Sequence, residues 1–285
     1  MRQIALKQRI GQIYLAFVPI WVTILAFSVG YISYKIYLPV WIINVCLMVT
    51  AAWVLGLHVI KDDERKQLAV GAFFLIAPYL FISMFFGLGP PPDTASQWVA
   101  TAVEQEIRYI MLIISGVFIA LGFALLHEEL RNTPGSLYSK LGYTAIIIVI
   151  PLFIFNMIFW SAYLPELFKI MTDSGLQKSP DWFHPIATTF NLLTTVEVAI
   201  IYFAVAMFVI SLRAARKLNK TSSFIYSVIS LIAFIITVLP FSQHLLQIPF
   251  FVVTIPAVPF LIPYFIGINL LRYVGNKKMD MMPNK

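Results

Sequence analysis

Charge is scarce in this sequence. Its 285 residues hold 20 Lys and Arg against 13 Asp and Glu, so only 12% are charged, where soluble domains carry roughly 25%. A chain that is 60% hydrophobic, with a mean hydropathy of +0.86, has too little polar surface to cover a water-soluble fold. Cysteine is almost absent as well. The single Cys46 excludes a disulfide scaffold and any cysteine-built zinc or iron–sulfur site within the chain. Lysine is missing from the middle of every long apolar run, which excludes a retinal Schiff base. Spaced arginines are missing from the same runs, which excludes a voltage sensor. Disorder is excluded by an aromatic content of 15%, since disordered segments are poor in aromatics.

What is present is a set of apolar runs. A helix needs about 20 apolar residues to cross the hydrocarbon core, and eight runs meet that length: 11–33, 38–60, 67–87, 108–126, 141–163, 186–212, 223–243 and 249–273. Membrane strands would alternate polar and apolar residues, whereas the stretch 145–154 is apolar on every side. The expected fold is therefore all-α: a polytopic integral membrane protein, one membrane domain over 1–285, built as a bundle of eight transmembrane helices. The first run follows Arg2, Lys7 and Arg9. It is longer than the apolar region of a signal peptide, and no small-residue cleavage site follows, so it reads as a retained span.

Orientation follows from Lys and Arg. With both termini cytoplasmic, 16 of the 20 basic residues fall in cytoplasmic segments, and only Lys35, Arg108, Lys169 and Lys178 fall outside. The inner loops then face anionic lipid, and nucleic acid is not an expected partner. The bias, with no targeting extension, suits a bacterial inner membrane. The two long outer loops are 88–107 and 164–184. The first opens with three prolines, a stiff turn, and continues as a short interfacial helix anchored by Trp98. Both loops are candidate docking surfaces for other membrane subunits.

Glu197 is the one charged residue in mid-membrane, 12 residues after Pro185 and 16 before Arg213. A carboxylate at that depth faces the bundle interior or a water-filled cavity. It reads as an ion or proton site, or as a hydrogen-bonded glutamic acid that glues two spans together. The same span carries a polar stripe. At 100° per residue, His184, Thr188, Asn191, Thr195 and Tyr202 fall within about 60° of one another. Glu197 points well over 90° away from the stripe, with Thr194 between. The stripe reads as a hydrophilic path or as interhelical bonding. In the last run, Pro249, Pro256, Pro259 and Pro263 share a face roughly 80° wide. Each interior proline frees a carbonyl, so this helix is expected to be broken, which either lines a site or is a plain kink. Pro19, Pro78 and Pro151 are weaker signals of the same kind.

His58 and His127 lie near the inner ends of their spans, His184 and His244 near the outer ends. Pairs at matching depth are weak candidates for bis-histidine haem ligation; no cofactor is otherwise expected. Asp181 with His184, and the run His127-Glu128-Glu129, fall short of a full ligand set, and no metal site is expected. The nucleophile elbow, the phosphate loop and the HExxH pair are absent, so no catalytic residue is assigned. The leading expectation is a small transporter or permease component whose polar site comprises Glu197, Asn191, Thr195, Thr194 and the carbonyls near Pro256. The alternatives are a non-catalytic subunit or sensor, and a haem or quinone electron-transfer subunit.

Overall fold

Every backbone N–H and C=O in lipid must find its partner within the protein, and an apolar run satisfies that demand as a helix. The computed structural model describes residues 2–28, 32–92, 94–175, 180–239 and 247–280, and these are predominantly helical, with no strand among them. The helices are α1 (Arg2–Ser28), α2 (Tyr34–Leu55), α3 (Asp63–Ile76), α4 (Pro78–Gly87), α5 (Ala95–Ala100), α6 (Ala102–Leu130), α7 (Ser136–Ile158), α8 (Leu164–Asp173), α9 (Phe183–Ala214), α10 (Lys220–Val238), α11 (Gln247–Thr254) and α12 (Leu261–Asp280). Eight helical stretches are long and apolar enough to cross a membrane, each overlapping one of the eight sequence runs. The chain is a multi-pass membrane protein by this criterion.

Three of the stretches are interrupted where proline dictates. Pro78 separates α3 from α4, and Ser115 of α6 donates to the Pro78 carbonyl at 3.1 Å. Between α7 and α8, Phe159–Tyr163 is a π-helix. Pro165 has no N–H to donate into the next turn, and the register widens so that the Leu164 N–H bonds the Phe159 carbonyl five residues back. The last stretch breaks at 255–257, between α11 and a short 3-10 turn at Val258–Phe260. The expected broken helix is present, and the span-length part begins at Val258 rather than near 249.

The loops at one end are more ordered than expected. Residues 164–173, read from the sequence as loop, continue the fifth helix to a total of 38 residues, Ser136–Asp173. That exceeds the roughly 20 residues a bilayer needs. Residues 95–100 form the short helix expected in 88–107, started by Thr94, whose hydroxyl accepts from the Gln97 N–H at 3.3 Å. Trp98, however, does not serve as an interfacial anchor. It is buried, donates from Nε1 to the Pro92 carbonyl at 2.8 Å and packs on Phe168 of α8, with ring centroids 5.7 Å apart. The two long loops thus close on each other as a cap.

At the opposite end, the basic end, Lys217 pairs with Glu129. The Ser211 hydroxyl donates to the Gly135 carbonyl at 2.8 Å, and Gly275 lies against the Leu55 carbonyl. These contacts gather the segments that carry most of the basic residues. Within the bundle, α6 packs on α3, α4 and α7, while α9 lies between α7 and α10. Small residues allow close approach: a Cβ at Gly267 of α12 would sit 2.5 Å from the Ala72 carbonyl of α3. The Arg65–Gly87 stretch is central, 72% buried, whereas Lys220–Val238 is peripheral, 22% buried.

Candidate functional site

Glu197 is completely buried, and it has a partner that the sequence did not reveal. The Asn156 amide, one turn before the π-helix on α7, donates to Glu197 Oε1 at 2.9 Å and to Thr194 Oγ1 at 2.8 Å. The orientation of that amide is set from its other side. Trp160 lies four residues on and donates from Nε1 to Asn156 Oδ1 at 3.0 Å, so the amide oxygen must face the indole and the NH2 must face the carboxyl. Thr194 in turn donates to the Phe190 carbonyl at 3.0 Å. The network leaves one atom over. Glu197 Oε2 is buried without a hydrogen-bond partner among the described residues, in a setting where an unmet polar atom is costly.

Trp160 joins this network to a cavity of about 370 Å³ at the capped end. Aromatic side chains form most of its wall, among them Trp98, Tyr109, Phe159, Trp160 and Phe168, and Asn191 is its polar member on α9. Phe159 stacks on Phe190 with centroids 3.7 Å apart, and Tyr109 stacks on Trp160 at 6.2 Å. The wall is therefore a set of mutually supported rings. Arg108, counted from the sequence as an outer residue, stays at that end but is almost fully buried. It donates to the Gly89 carbonyl at 2.8 Å and the Leu88 carbonyl at 3.3 Å and lies over the Phe85 ring at 5.5 Å. It thereby ties the proline-rich turn to α6, with Pro91 and Pro92 at the cavity rim.

The remaining sequence candidates separate. Thr188 and Thr195 donate to the carbonyls four residues back, His184 at 2.9 Å and Asn191 at 3.1 Å, so the two threonine hydroxyls of the stripe are satisfied within their own helix. The Tyr202 hydroxyl donates to the Val253 carbonyl at 3.2 Å. In an unbroken helix that carbonyl would accept from residue 257, so a side chain of α9 replaces a backbone donor lost at the break. Pro256 is half-buried at this break, and the side-chain hydrogen bond that ties α11 to α9 there comes from Tyr202.

The inner histidines and the acidic run have other partners. His58 Nδ1 lies 2.9 Å from the Trp53 carbonyl. His127 Nδ1 lies 3.1 Å from Ser139 Oγ, and its ring stacks on Tyr143 at 4.8 Å. His184 is exposed, and His244 lies outside the described residues. Glu128 pairs with Arg131 at 3.6 Å, Glu129 with Lys217, and Asp181 is exposed. Among the described residues no three His, Cys, Asp or Glu side chains gather as metal ligands would.

Asn156 and Trp160 are what sequence reasoning missed. The available signal was a lone amide inside an apolar run, Phe155-Asn156-Met157, because interhelical bonding is the usual role of such a residue in lipid. Comparison with models of protein families, with curated proteins and with solved structures finds no match to this chain.

Proposed function

We propose that the chain is a small transporter, or the membrane-spanning component of one, in a bacterial inner membrane with its basic end in the cytoplasm. The observation that carries this reading is the connection from an aromatic cavity at the outer end, through Trp160 and Asn156, to the buried carboxyl of Glu197. Aromatic faces favour a cationic or aromatic solute, and an intramembrane carboxyl is the natural place for a counter-charge or an exchanged proton. Trp160 stands between the two as the gate: turning its indole breaks the bond to Asn156 and opens the route to Glu197. The adjacent π-helix suits that role, since such segments recur at functional sites.

The test uses proteoliposomes that enclose a pH-sensitive dye, with a panel of small amines and aromatic amino acids added outside. Solute-dependent proton movement is expected for the wild type and is expected to be lost in Glu197→Gln while the protein still unfolds cooperatively from a folded state. Movement that persists unchanged in Glu197→Gln overturns the reading. One observation favours a second reading, a subunit that docks through its outer cap: Ile170 and Trp182 are each 54% exposed there. Loss of a co-purifying chain in Ile170→Glu with Trp182→Ser would support that reading.

A further inference from the structure

The basic end holds a cavity of its own, about 550 Å³, where the end of α9, the turn to α10 and the last span meet. Arg213, Arg216, Lys217, Leu218, Asn219 and Tyr273 line it. Its polar character is that of a donor. Three side chains are cationic. The Asn219 Oδ1 is already occupied by the Ser222 N–H at 2.8 Å, which leaves the amide NH2 to donate, and a tyrosine hydroxyl can donate as well. No acidic residue lines the cavity. Glu129 reaches Lys217, and among the described residues no carboxylate comes within 4.0 Å of Arg213 or Arg216.

The ordinary reason for cations here is the negative end of the α9 dipole. The helix end itself does not require them. The Ser211, Leu212 and Arg213 carbonyls are bonded by the N–H groups of Ala215, Lys217 and Arg216, at 2.9, 2.9 and 3.0 Å, the pattern of a Schellman turn. That turn needs a left-handed residue, and glycine adopts that conformation without steric penalty. Arg216 occupies it instead, with φ 56°, the one non-glycine residue of positive φ among the described residues. An exposed arginine held in a strained conformation beside a donor-lined cavity points to a use for its guanidinium.

The place adds a further constraint. Arg213 and Tyr273 lie in the closing turns of two span-length helices, at the boundary between the apolar zone and water. Phe224, one turn into α10, is 69% exposed. We propose that this cavity binds a phosphate-class anion, with the headgroup of an anionic phospholipid or a free phosphate as the two sources of that chemistry. The two guanidiniums supply paired N–H donors matched to phosphate oxygens. Lys217, shared with Glu129, supplies a third charge. A basic pocket at the cytoplasmic ends of membrane helices is the setting in which lipid headgroups are held.

Native mass spectrometry of the full chain in neutral detergent tests this, with phosphatidylglycerol, phosphatidylcholine and inorganic phosphate as separate probes. Arg216→Gly removes the guanidinium while relieving the strained backbone, so the variant folds at least as well as the wild type. Arg213→Gln removes the other guanidinium, and Lys140→Gln removes an exposed basic-end charge outside the cavity. Phosphatidylglycerol is expected to bind more tightly than phosphatidylcholine. Its affinity is expected to fall about tenfold or more in Arg216→Gly and in Arg213→Gln, the size of one charge-assisted hydrogen bond, and to hold in Lys140→Gln. Inorganic phosphate binding with the same variant pattern, without a preference between the lipids, supports the site with free phosphate as its source. Equal binding of both lipids with no phosphate bound, or an equal loss in all three variants, overturns it.

Discussion

Asn156 on α7 donates to Glu197 on α9 across 2.9 Å, and this bond joins the two helices at a point where neither side chain has access to solvent. Removing the donor strands a carboxyl oxygen that cannot turn to water. Asn156→Ala is expected to destabilise the protein by about 1–3 kcal/mol. Glu197→Gln keeps an acceptor for the Asn156 amide and is expected to cost less. The double variant should fall short of the sum of the two, because both residues belong to one network. SDS-induced unfolding in mixed micelles measures all three, and additive losses would show that the bond contributes nothing.

Tyr202 supplies the donor missing at the break in the last span. Tyr202→Phe removes only the hydroxyl that reaches the Val253 carbonyl. Its expected cost is about 0.6 kcal/mol, the average for such bonds between membrane helices, and at most about 1.7 kcal/mol. Hydrogen exchange should rise locally in the segments flanking the break and stay level in α6 and α7.

Gly267 lets α12 approach the backbone of α3, with an added Cβ 2.5 Å from the Ala72 carbonyl. Because that neighbour is backbone, it cannot rotate away. Gly267→Val is expected to cost about 1–3 kcal/mol as overpacking. Gly175, whose added Cβ would meet nothing within 4 Å, makes a poor comparison because its φ of 64° is itself strained for other residues. Exposed Ala214 is the better control, and Ala214→Val should change stability little.

Trp98 closes the cap over the aromatic cavity through Phe168. In a chain with Cys46→Ser, Leu164→Cys, buried in the cavity wall, should react slowly with a membrane-impermeant thiol reagent applied from outside. Adding Trp98→Ala should raise that rate several-fold. The same reagent tests orientation: Ser174→Cys should label from outside intact cells, and Asn132→Cys only after lysis. The reverse pattern would invert the membrane orientation.

The number of spans was legible because it depends on a local quantity. Roughly 20 apolar residues in lipid have no alternative to a helix, and proline's missing N–H marks where a helix breaks. The break beside Pro256 was readable for that reason. The helix in 164–173 was not, because that stretch carries Glu166, Lys169 and Asp173 and looks like a loop. What holds it helical is tertiary: Leu164, Leu167 and Met171 are buried beneath the cap. Glu197 stood out by its charge alone. Its partner lies 41 residues away on another helix, and helical periodicity relates residues only within one helix.

The sequence by itself determined that this is an all-helical chain with eight membrane-length helices, because hydrocarbon imposes backbone pairing one segment at a time. It also determined that Glu197 requires shelter. Tertiary structure decided which helix is central and which faces lipid, since runs of similar hydropathy end up 72% buried in one case and 22% in the other. It also decided that Asn156 meets the carboxyl, with Thr194 and Trp160 as the other partners of its amide, while Thr195 bonds within its own helix. The physical reason is that lipid tails and neighbouring helices are equally apolar. Hydropathy therefore selects the spans but not their neighbours, and the choice of neighbour falls to side-chain shape, small residues and the few hydrogen bonds that cross between helices.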